Sequence, residues 1–507
     1  MSALRGSGWW QSRWAVALAM LASTVPLWFV QLPPLIDLLA HMGRYHIQLN
    51  IADNTVLQAN WAFHWRVLGN LGGDLLMEPL GRIFGVERGA RILGALLPPL
   101  MIWGMVRLAR AAHGHVPATV WAAFPFALAY PWQYGLVNYW MGCALALHAA
   151  AWWYRRWPDA QGRAASVLDA LPLGLVALGL WVVHIYGWAI FGVLVGARVL
   201  ATVPWRQWAR IAPQLLPVAA PLVPMVLLAY GARGAQETYG WFIWARKLGA
   251  LIFTLRDQWQ PLDIASLALA VVLIYAGLRS KHMRFDRTLG FAALILLAAV
   301  AIIPFQALGS AFADGRLWPI VFIVTLLAAG FRENYRGKAA SWLAMGTATV
   351  FAIRLAATTI GFQAYDSAYA RHLQALDKVE RGAKIAVFLE FPCNVAWRRP
   401  RLDRLDGLAI VRRDAFTNAQ WDVPGAQLLA PLGAVGTRYN ADPSQLVRRR
   451  DCPTDLRPVL AQKIAGFPRD RFGYVWVLGF DPVTLPRYAG LTPLFADDRT
   501  VLYRIEK

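Results

Sequence analysis

Hydrophobic blocks of roughly 15–22 residues, the length of a helix that crosses a ~30 Å bilayer core, recur along the first 360 positions of this 507-residue chain. The composition agrees with this pattern. Hydrophobic residues make up 58% of the chain and charged residues only 16%, whereas soluble domains average about 45–50% and ~25%. These features exclude a soluble enzyme, a disordered chain and a disulfide-stapled secreted domain. They are compatible with an enzyme that works in a membrane.

The net charge of +21 raises the alternative of a nucleic-acid partner. Most basic residues of the first 360 positions instead lie in clusters beside the hydrophobic blocks, such as Arg155/Arg156 and Arg279/Lys281. The positive-inside rule places such clusters on the cytoplasmic side of a membrane. The charge therefore indicates topology, and we expect membrane lipids rather than nucleic acid around this chain.

The first predicted span covers about residues 14–30 and follows Arg5 and Arg13, which places the N-terminus in the cytoplasm. The later stretch 165–203 is too long for one crossing, so we divide it at His184. With this division, eleven spans place the basic clusters consistently on one side. The ten spans after the first are predicted at 90–110, 117–131, 138–154, 165–183, 185–203, 212–230, 263–279, 288–305, 317–330 and 339–360.

This topology predicts a mainly α, polytopic membrane domain over residues 1–360 and a small extracytoplasmic α/β domain over 361–507. The membrane domain contains a large first outer loop, 32–89. After residue 360 the hydropathy falls and the charge rises, which is typical of a segment outside the membrane. The predicted elements of this second domain are an amphipathic helix at 366–381 and strands at 384–389, 408–411, 474–478 and 500–504.

Two of the three cysteines, Cys393 and Cys452, fall in the predicted outer domain. An oxidising compartment allows them to form a disulfide, and two free buried thiols are the alternative. Cys143 lies inside a predicted span and is interpreted as a small packing residue. No spacing of cysteine and histidine resembles a zinc site.

The first outer loop contains the most informative motif. A helix is expected to begin near Pro34, because proline is favoured at helix starts. On this helix Asp37, His41, Arg44 and Gln48 follow a spacing of four, three and four residues, so they share one face. We expect an apolar helix at the membrane surface with one polar stripe. Local ion pairing of Asp37 with His41 and Arg44 is the structural alternative.

A functional interpretation of the stripe rests on its position. A carboxylate beside hydrocarbon is costly to keep ionised, and the stripe lies where an extracytoplasmic active site would reach a lipid headgroup. The same loop carries a second acid, Asp74, followed by Glu78 and Arg82.

The layout of a short first span, a large outer loop that opens with an acid, many further spans and a C-terminal outer domain resembles the GT-C glycosyltransferase superfamily. The segments 33–44, 181–188 and 411–416 are also similar to segments of a large group of uncharacterised bacterial multi-spanning membrane proteins. The resemblance implies a GT-C fold in a bacterial inner membrane, with the C-terminal domain in the periplasm. It also implies a polyprenyl-phosphate-linked sugar as donor and a glycan, lipid or protein as acceptor.

In GT-C enzymes the acid of the first outer loop is the usual catalytic candidate, and the matching position here is Asp37. Families with a paired acidic motif at this place have a second carboxylate next to it or one residue away. This chain has Ile36 and Leu38 beside Asp37. This departure argues against a metal-dependent variant; a divalent metal stays an alternative, and we assign no metal ligand.

The chemistry of sugar transfer assigns roles to the candidates. A base must take the proton of the acceptor hydroxyl, and cations must hold the departing phosphate. Asp37 suits the first role, with Asp74 as the second acidic candidate. Interfacial anchoring explains Arg246, Lys247 and Arg316 equally well, and His184 also fits a capped turn. The predicted substrate- or phosphate-binding residues are His41, Arg44, His184, Arg246, Lys247 and Arg316.

Two other functions fit the sequence. A transporter or flippase of a lipid-linked or polar solute would place ionisable residues near the bilayer midplane, in matching halves. Few charges lie at mid-span here, and the two halves show no repeat. A non-catalytic membrane assembly protein is the third alternative, because the outer domain carries no recognisable active-site motif.

Overall fold

The computed structural model of the chain forms two compact units. Unit 1 comprises residues 1–28, 67–73 and 95–359, and unit 2 comprises residues 29–66, 74–94 and 360–507. The first outer loop, predicted as part of the membrane domain, thus belongs mostly to the unit that contains the C-terminal region. The structure describes residues 8–160, 167–229, 238–307, 310–332, 335, 337–391, 397–398, 401–418, 420, 427–432, 446–448 and 457–506.

The described part of the chain is mainly helical, as the sequence predicts. The helices are α1 (Arg13–Ala22), α2 (Ile36–Asn50), α3 (Thr55–Gln58), α4 (Gly72–Phe84), α5 (Val86–His113), α6 (Val120–Ala123), α7 (Tyr130–Gln133), α8 (Val137–Ala160), α9 (Val167–Val183), α10 (Ile185–Thr202), α11 (Trp208–Leu215), α12 (Leu222–Ala229), α13 (Trp244–Ile252), α14 (Gln260–Arg279), α15 (Arg287–Ile302), α16 (Trp318–Ala328), α17 (Ala339–Leu373), α18 (Gly407–Arg413) and α19 (Leu460–Gly466).

Several of these helices are apolar and long enough to cross a membrane. Four segments meet both criteria: α5, α10, α14 and Ala339–Lys378, which contains α17. Shorter apolar helical segments cover Arg13–Leu27, Leu171–Val183, Arg287–Ile302 and Gly315–Ala328. The total of eleven crossings stays a prediction.

The predicted break at His184 is confirmed. α9 ends at Val183 and α10 begins at Ile185, and His184 between them has an extended backbone with φ −168° and ψ 136°. The predicted spans 117–131 and 212–230 differ, because each consists of short helical pieces rather than one helix. Their prolines explain the difference, since an internal proline removes a backbone donor and clashes with the preceding turn. These prolines are Pro125 and Pro131 in the first segment and Pro213, Pro217, Pro221 and Pro224 in the second.

Within unit 1, α10 packs against both α8 and α15, and α15 packs against α16. Gly142 of α8 and Gly187 of α10 allow the first of these contacts. A Cβ atom added to Gly187 would lie 2.8 Å from the carbonyl oxygen of Gly142. The two backbones therefore approach more closely than larger residues would permit.

A sheet forms the C-terminal part of unit 2. The strands of the described residues are β1 (Trp61–Phe63), β2 (Met283–Phe285), β3 (Ala329–Phe331), β4 (Lys384–Glu390), β5 (Phe416–Thr417), β6 (Leu429–Pro431), β7 (Leu446–Val447), β8 (Tyr474–Leu478), β9 (Leu491–Asp497) and β10 (Thr500–Ile505). The strand order of this sheet is β5-β4-β8-β10-β9, and β7 pairs with the end of β4. β4 runs parallel to β5, β7 and β8, whereas β10 runs antiparallel to β8 and β9.

The predicted strands at 384–389, 474–478 and 500–504 correspond to β4, β8 and β10 and are confirmed. The predicted strand at 408–411 is wrong, because these residues form part of α18. A run of four apolar residues has the same appearance in a buried strand and in a buried helix. The predicted helix at 366–381 is the end of α17 followed by a short 3₁₀ turn, Gln374–Lys378. Cys393 and Cys452 lie outside the described residues.

The contact between α2 and α18 organises unit 2. α2 begins at Ile36, close to the predicted start, but its apolar side is buried in the protein: Leu38, Leu39 and Met42 are all 0% exposed. α2 therefore packs against α18 within the protein, and its position at the membrane surface stays a prediction. A Cβ atom added to Gly407 would lie 2.3 Å from the carbonyl oxygen of Leu39.

Charged residues at the end of α18 anchor it within unit 2. They belong to the segment 411–416 that the sequence analysis singled out. Burial alone would raise the pKa of Asp414, but hydrogen bonds from His46 and Arg381 outweigh it and lower the pKa. The segment thus has a structural role. The pairs are Arg412–Glu87 at 2.9 Å, Arg413–Asp377 at 3.0 Å, Asp414–His46 at 2.7 Å and Asp414–Arg381 at 2.5 Å.

We expect the substitution Gly407→Ala to destabilise the protein by about 1–3 kcal/mol, because an added methyl group would force α18 away from α2. The measurement is the thermal unfolding midpoint of the purified protein in detergent. Gly466→Ala is the matched control, since this glycine also lies in a short helix of unit 2 but has nothing within 4 Å of its added Cβ. Equal unfolding midpoints for the two variants would show that α2 and α18 leave room for a methyl group at Gly407.

Candidate functional site

The polar stripe of α2 lies in unit 2. Asp37 occupies the first turn of the helix and is partly buried, as is His41 one turn later. Arg44 and Gln48 are buried. The predicted spacing is thus present on one helix, with the partly accessible residues near its N-terminus and the buried ones further along.

Arg44 forms a buried ion pair with Asp74 of α4. Its Nη2 atom lies 3.1 Å from each carboxylate oxygen of Asp74, and the two residues are 4% and 1% exposed. Gln48 reinforces this contact, because its Nε2 donates to the backbone oxygen of Asp74 at 2.9 Å and to Glu78 at 2.8 Å. The ion pairing of Arg44 therefore involves Asp74 rather than a residue of the stripe. Both charges are compensated inside the protein, which indicates a structural role for the pair.

His41 has a different electrostatic character from the one predicted. Burial, followed by the positive charges of Arg44 and Arg404, holds the pKa of His41 well below its usual value of 6.5. The imidazole is therefore neutral at physiological pH. It can form a hydrogen bond with a substrate, but it contributes no positive charge to the binding of phosphate.

A loop of the C-terminal region borders the start of α2. Arg401 is fully buried, donates a hydrogen bond to the backbone oxygen of Pro34 and lies 4.9 Å from the ring centre of Phe362. Arg404 has a left-handed backbone with φ 69°, a conformation that costs free energy in a residue other than glycine. This arginine loop, 401–406, lies near the start of α2, where Arg401 contacts Pro34 and the charge of Arg404 acts on His41, and it leads directly into α18.

The arginine loop contains a buried acid, Asp406, which is 1% exposed. Among the described residues, none donates a hydrogen bond to its Oδ2 atom. Burial raises the pKa of Asp406 to about 7, although the charge of Arg404 opposes this change. A carboxyl group that is partly protonated near neutral pH can donate as well as accept a hydrogen bond.

His184 and Arg316 lie in unit 1, where the structure brings them into one cluster with two tyrosines. The Nδ1 atom of His184 accepts the backbone N–H of Tyr186 at 3.1 Å and so caps α10. This is the capped turn that the sequence offered as the alternative role. The ring centre of Tyr139 lies 5.5 Å from that of His184 and 5.8 Å from the guanidinium carbon of Arg316.

The segment that carries Arg316 is held from two sides. The hydroxyl of Tyr139 donates to the backbone oxygen of Arg316 at 2.7 Å, and that of Tyr186 donates to the backbone oxygen of Ala313 at 2.8 Å. The guanidinium of Arg316 is partly buried. It forms no ion pair with any residue in the described part of the chain, and its Nε has no hydrogen-bond partner there.

Lys247 has a structural role beside this segment. It is 2% exposed, and its ammonium group donates to the backbone oxygens of Val300 and Ile303 and, at 2.9 Å, to the carboxylate of Asp314. Three acceptors satisfy the three donors of an ammonium group. The predicted phosphate-binding role of Lys247 would require these bonds to break. Asp314 also accepts the backbone N–H of Gly315 at 2.7 Å, so the ion pair fixes the turn before Arg316.

Arg246 is exposed, and its guanidinium carbon lies 4.6 Å from the ring centre of Phe305. This cation–π contact leaves the N–H groups of the guanidinium accessible. Arg246 therefore fits both predicted roles, interfacial anchoring and binding of an anionic headgroup.

Sequence reasoning missed the arginine loop altogether. The loop lies about 365 residues after the start of α2 in the sequence but next to it in the structure. Its composition does not predict this contact, because the contact depends on how α18 packs. Tyr139 was one of many aromatic residues at predicted membrane boundaries, and only the fold selects it. Within the described residues, no cluster of three or more His, Cys, Asp or Glu side chains is arranged as a metal site.

No family model matches the sequence, and no curated protein matches it. The fold is similar to the crystal structure of ArnT from Cupriavidus metallidurans bound to undecaprenyl phosphate, with 14% identity, a TM-score of 0.50 and 96% of each chain covered. The structure of the arabinofuranosyltransferase AftD from Mycobacteria is 16% identical with a TM-score of 0.48, and this chain spans 40% of that chain. The likeness to ArnT shows a shared fold, in agreement with the fold expected from the sequence, and four helical segments of the described residues are apolar and long enough to cross a membrane.

We expect Asp406→Asn to gain stability relative to the wild type as the pH rises. The pKa of Asp406 is higher in the folded state, about 7, than its ordinary value of 3.8, so folding becomes less favourable as the pH rises from about 4 to about 7. An asparagine cannot ionise and does not incur this cost, which amounts to at most about 4 kcal/mol. The measurement compares unfolding midpoints of variant and wild type at pH 5 and pH 8.

Asp53→Asn is the control for this comparison, because Asp53 is exposed to solvent. Its difference from the wild type should stay the same at both pH values. A difference for Asp406→Asn that is also independent of pH would show that this carboxyl group titrates normally.

Proposed function

We propose that this protein is a membrane glycosyltransferase that moves a sugar from a polyprenyl-phosphate donor to a glycan, lipid or protein acceptor. The reaction would take place at the outer face of a bacterial inner membrane, with the N-terminus in the cytoplasm and the C-terminal region in the periplasm. Two lines of support are the GT-C fold and the state of Arg316.

The observation that carries the proposal is the guanidinium of Arg316. It is partly buried against Tyr139 and has no carboxylate partner among the residues that the structure describes. A cation that has lost part of its hydration without a counter-ion is destabilising unless a ligand supplies the opposite charge. A phosphate suits this position, because arginine binds phosphate oxygens through paired N–H donors. Two tyrosines and the Lys247–Asp314 pair hold the segment in place before any ligand arrives.

The fold supports the same class of donor. ArnT, which shares the fold over 96% of both chains, has been crystallised with undecaprenyl phosphate. A shared fold by itself does not establish an activity, since function resides in sites. The phosphate-binding role of Arg316 therefore rests on its own geometry, and the fold adds the lipid part of the donor to the proposal.

Asp37 is proposed as the base. In the transfer step the acceptor oxygen forms a bond to the anomeric carbon of the sugar, while the bond from that carbon to the phosphate oxygen breaks and its electron pair stays with the phosphate. The proton of the acceptor hydroxyl passes to the carboxylate of Asp37. A position in the first turn of α2 favours the ionised carboxylate, because the helix dipole is positive at that end.

The other predicted residues then have supporting roles in the proposal. Arg44 and Asp74 neutralise each other and hold α2 against α4. The neutral imidazole of His41, one turn after Asp37, is placed to orient a hydroxyl group. Arg246 is a second candidate for the anionic headgroup, because its guanidinium is accessible.

The transporter alternative depends on ionisable residues inside spans. The clearest such group in unit 1 is Arg354 of α17, which is 2% exposed. It lies 2.8 Å from the carboxylate of Asp263 and donates to the backbone oxygen of Leu255 at 2.7 Å. Because Asp263 also accepts the backbone N–H of Asp257 at 2.7 Å, these charges are satisfied inside the protein. This arrangement favours a structural role over a transport pathway.

We expect Asp37→Asn to abolish transfer, since the loss of a general base typically costs a factor of about 10²–10⁴ in rate. The variant replaces the gene copy in the native host, and mass spectrometry compares the envelope glycans and glycolipids. Asp53→Asn is the matched control, because this acid is exposed in the same loop and should leave the profile unchanged. A wild-type profile in the Asp37→Asn strain, with normal protein levels, would refute the assignment of the base.

We expect Arg316→Gln to weaken the binding of undecaprenyl phosphate by a factor of about 10–100, the usual effect of losing a hydrogen bond to a charged group. Native mass spectrometry of the purified protein with added undecaprenyl phosphate measures the bound fraction. Arg279→Gln, at an exposed arginine that ends α14, serves as the control. Asp37→Asn should bind normally, and unchanged binding by Arg316→Gln would remove the phosphate site from the proposal.

A further inference from the structure

A cavity of about 760 Å³ lies in the C-terminal sheet region of unit 2, and none of the residues assigned above lines it. Its volume falls within the roughly 300–1,000 Å³ that ligand-binding pockets occupy. The cavity is partly open to solvent. The lining includes Arg448, Phe480, Asp481, Tyr488, Asp498 and Arg499.

The topology of the sheet places this cavity where α/β folds bind ligands. β4, β7 and β8 run parallel, so their carboxyl ends meet at one edge. Arg448 directly follows β7, and Phe480 and Asp481 follow β8. β4 is also the point at which the strand order reverses, because β5 lies on one side of it and β8 on the other. In open sheets of this kind, ligands bind outside the carboxyl ends at such a switch point.

Arg499 joins the ends of two of these strands. Its guanidinium lies 2.7 Å from the carboxylate of Glu390, the last residue of β4, and its Nε donates to the backbone oxygen of Gly479 at 2.8 Å. Gly479 follows β8 with φ 90°, and an added Cβ atom would lie 2.8 Å from the Cβ of Glu390. The sharp turn that opens the cavity thus requires a glycine.

The charges at the cavity do not favour an anion. Arg448 and Arg499 are balanced by Asp481 and Asp498 among the lining residues, and Arg499 is already paired with Glu390. A phosphate or carboxylate site needs an excess of positive charge directed at the ligand. Here donors and acceptors are mixed, which suits hydroxyl groups, because each hydroxyl both donates and accepts hydrogen bonds.

Two aromatic side chains complete the lining. Phe480 is buried and Tyr488 is half-buried. The ring of Tyr488 is fixed by an edge contact with Tyr503, with 6.2 Å between the ring centres. The face of an aromatic ring is electron-rich and attracts the polarised C–H groups on one side of a pyranose. An aromatic ring together with arginine and aspartate side chains in one lining is the combination that recognises a sugar by both its apolar and its polar faces.

We propose that this cavity, the strand-end cavity, is a binding site for a neutral saccharide of two or three sugar units. Its identification as the acceptor glycan rests on the proposed transferase function, whereas the binding of a saccharide does not. Asp481 accepts the backbone N–H of Val483 at 2.9 Å, so the turn that presents it is ordered before binding. The strand-end cavity would keep the acceptor at the protein between transfer events.

The test is isothermal titration calorimetry of the purified full chain in detergent with cellotriose, maltotriose and mannotriose, and with inorganic phosphate as the anionic probe. At least one trisaccharide should bind saturably. Tyr488→Ala should weaken that binding at least tenfold, and Asp498→Ala, at an exposed turn residue, should weaken it without affecting folding. Val483→Ala is the control, because Val483 is 91% exposed in the same turn as Asp481 but does not line the cavity.

The proposal is overturned if no trisaccharide binds, if only phosphate binds, or if both lining variants bind as tightly as the wild type. The transferase proposal is judged separately from the envelope glycan profile of the Asp37→Asn strain. Saccharide binding with an unchanged profile would refute the transfer mechanism that uses Asp37 as the base and keep the strand-end cavity. Loss of the glycan in the Asp37→Asn strain, without saccharide binding to the purified protein, would support the transferase proposal and overturn the strand-end cavity.

Discussion

The close contact between Gly407 and the backbone of α2 determines much of unit 2. A Cβ atom added to Gly407 would lie 2.3 Å from the carbonyl oxygen of Leu39, and Leu38, Leu39 and Met42 of α2 are fully buried. The polar residues of α2 then point away from this apolar contact, by the period of the helix. The arginine loop, which immediately precedes α18, is carried to the start of α2 by the same contact. A candidate site assembled from distant parts of the chain thus depends on one residue that lacks a side chain.

Burial divides the predicted charged residues into two groups. Arg44 and Lys247 lie in ion pairs that are almost completely shielded from solvent, and three protein oxygens satisfy the ammonium group of Lys247. Such pairs hold elements together, because removing either partner leaves an uncompensated charge. Arg316 differs, since it is partly buried and has no carboxylate partner in the described residues. Basic residues that look alike in the sequence therefore have different roles: Arg44 and Lys247 stabilise the fold, whereas Arg316 is a candidate for binding a ligand.

The sheet region of unit 2 combines two features. Its end nearest the Asp414 cluster anchors α18 and so supports the contact with α2. The carboxyl ends of β4, β7 and β8 surround the strand-end cavity. The sheet can thus contribute to stability at one end and to binding at the other, because the loops that follow its parallel strands all lie at the same edge.

The sequence by itself determined the apolar helices, the break at His184 and three strands of the sheet. These follow from local signals: the length of apolar runs, the period of polar residues and the residues that start or interrupt helices. It also predicted that Asp37, His41, Arg44 and Gln48 share one helix. Residue spacing alone contained no information about the partner of Arg44.

Only the tertiary structure decided that Arg44 pairs with Asp74, that α2 is covered by α18 and that residues 408–411 are helical. It also decided that Asp406 is buried beside Arg404 and that Tyr139 packs on Arg316. The contacts of Arg44 with Asp74, of α2 with α18 and of Tyr139 with Arg316 join residues far apart in the chain. Their formation depends on which apolar surfaces pack together, a property of the whole fold that no short stretch of sequence contains.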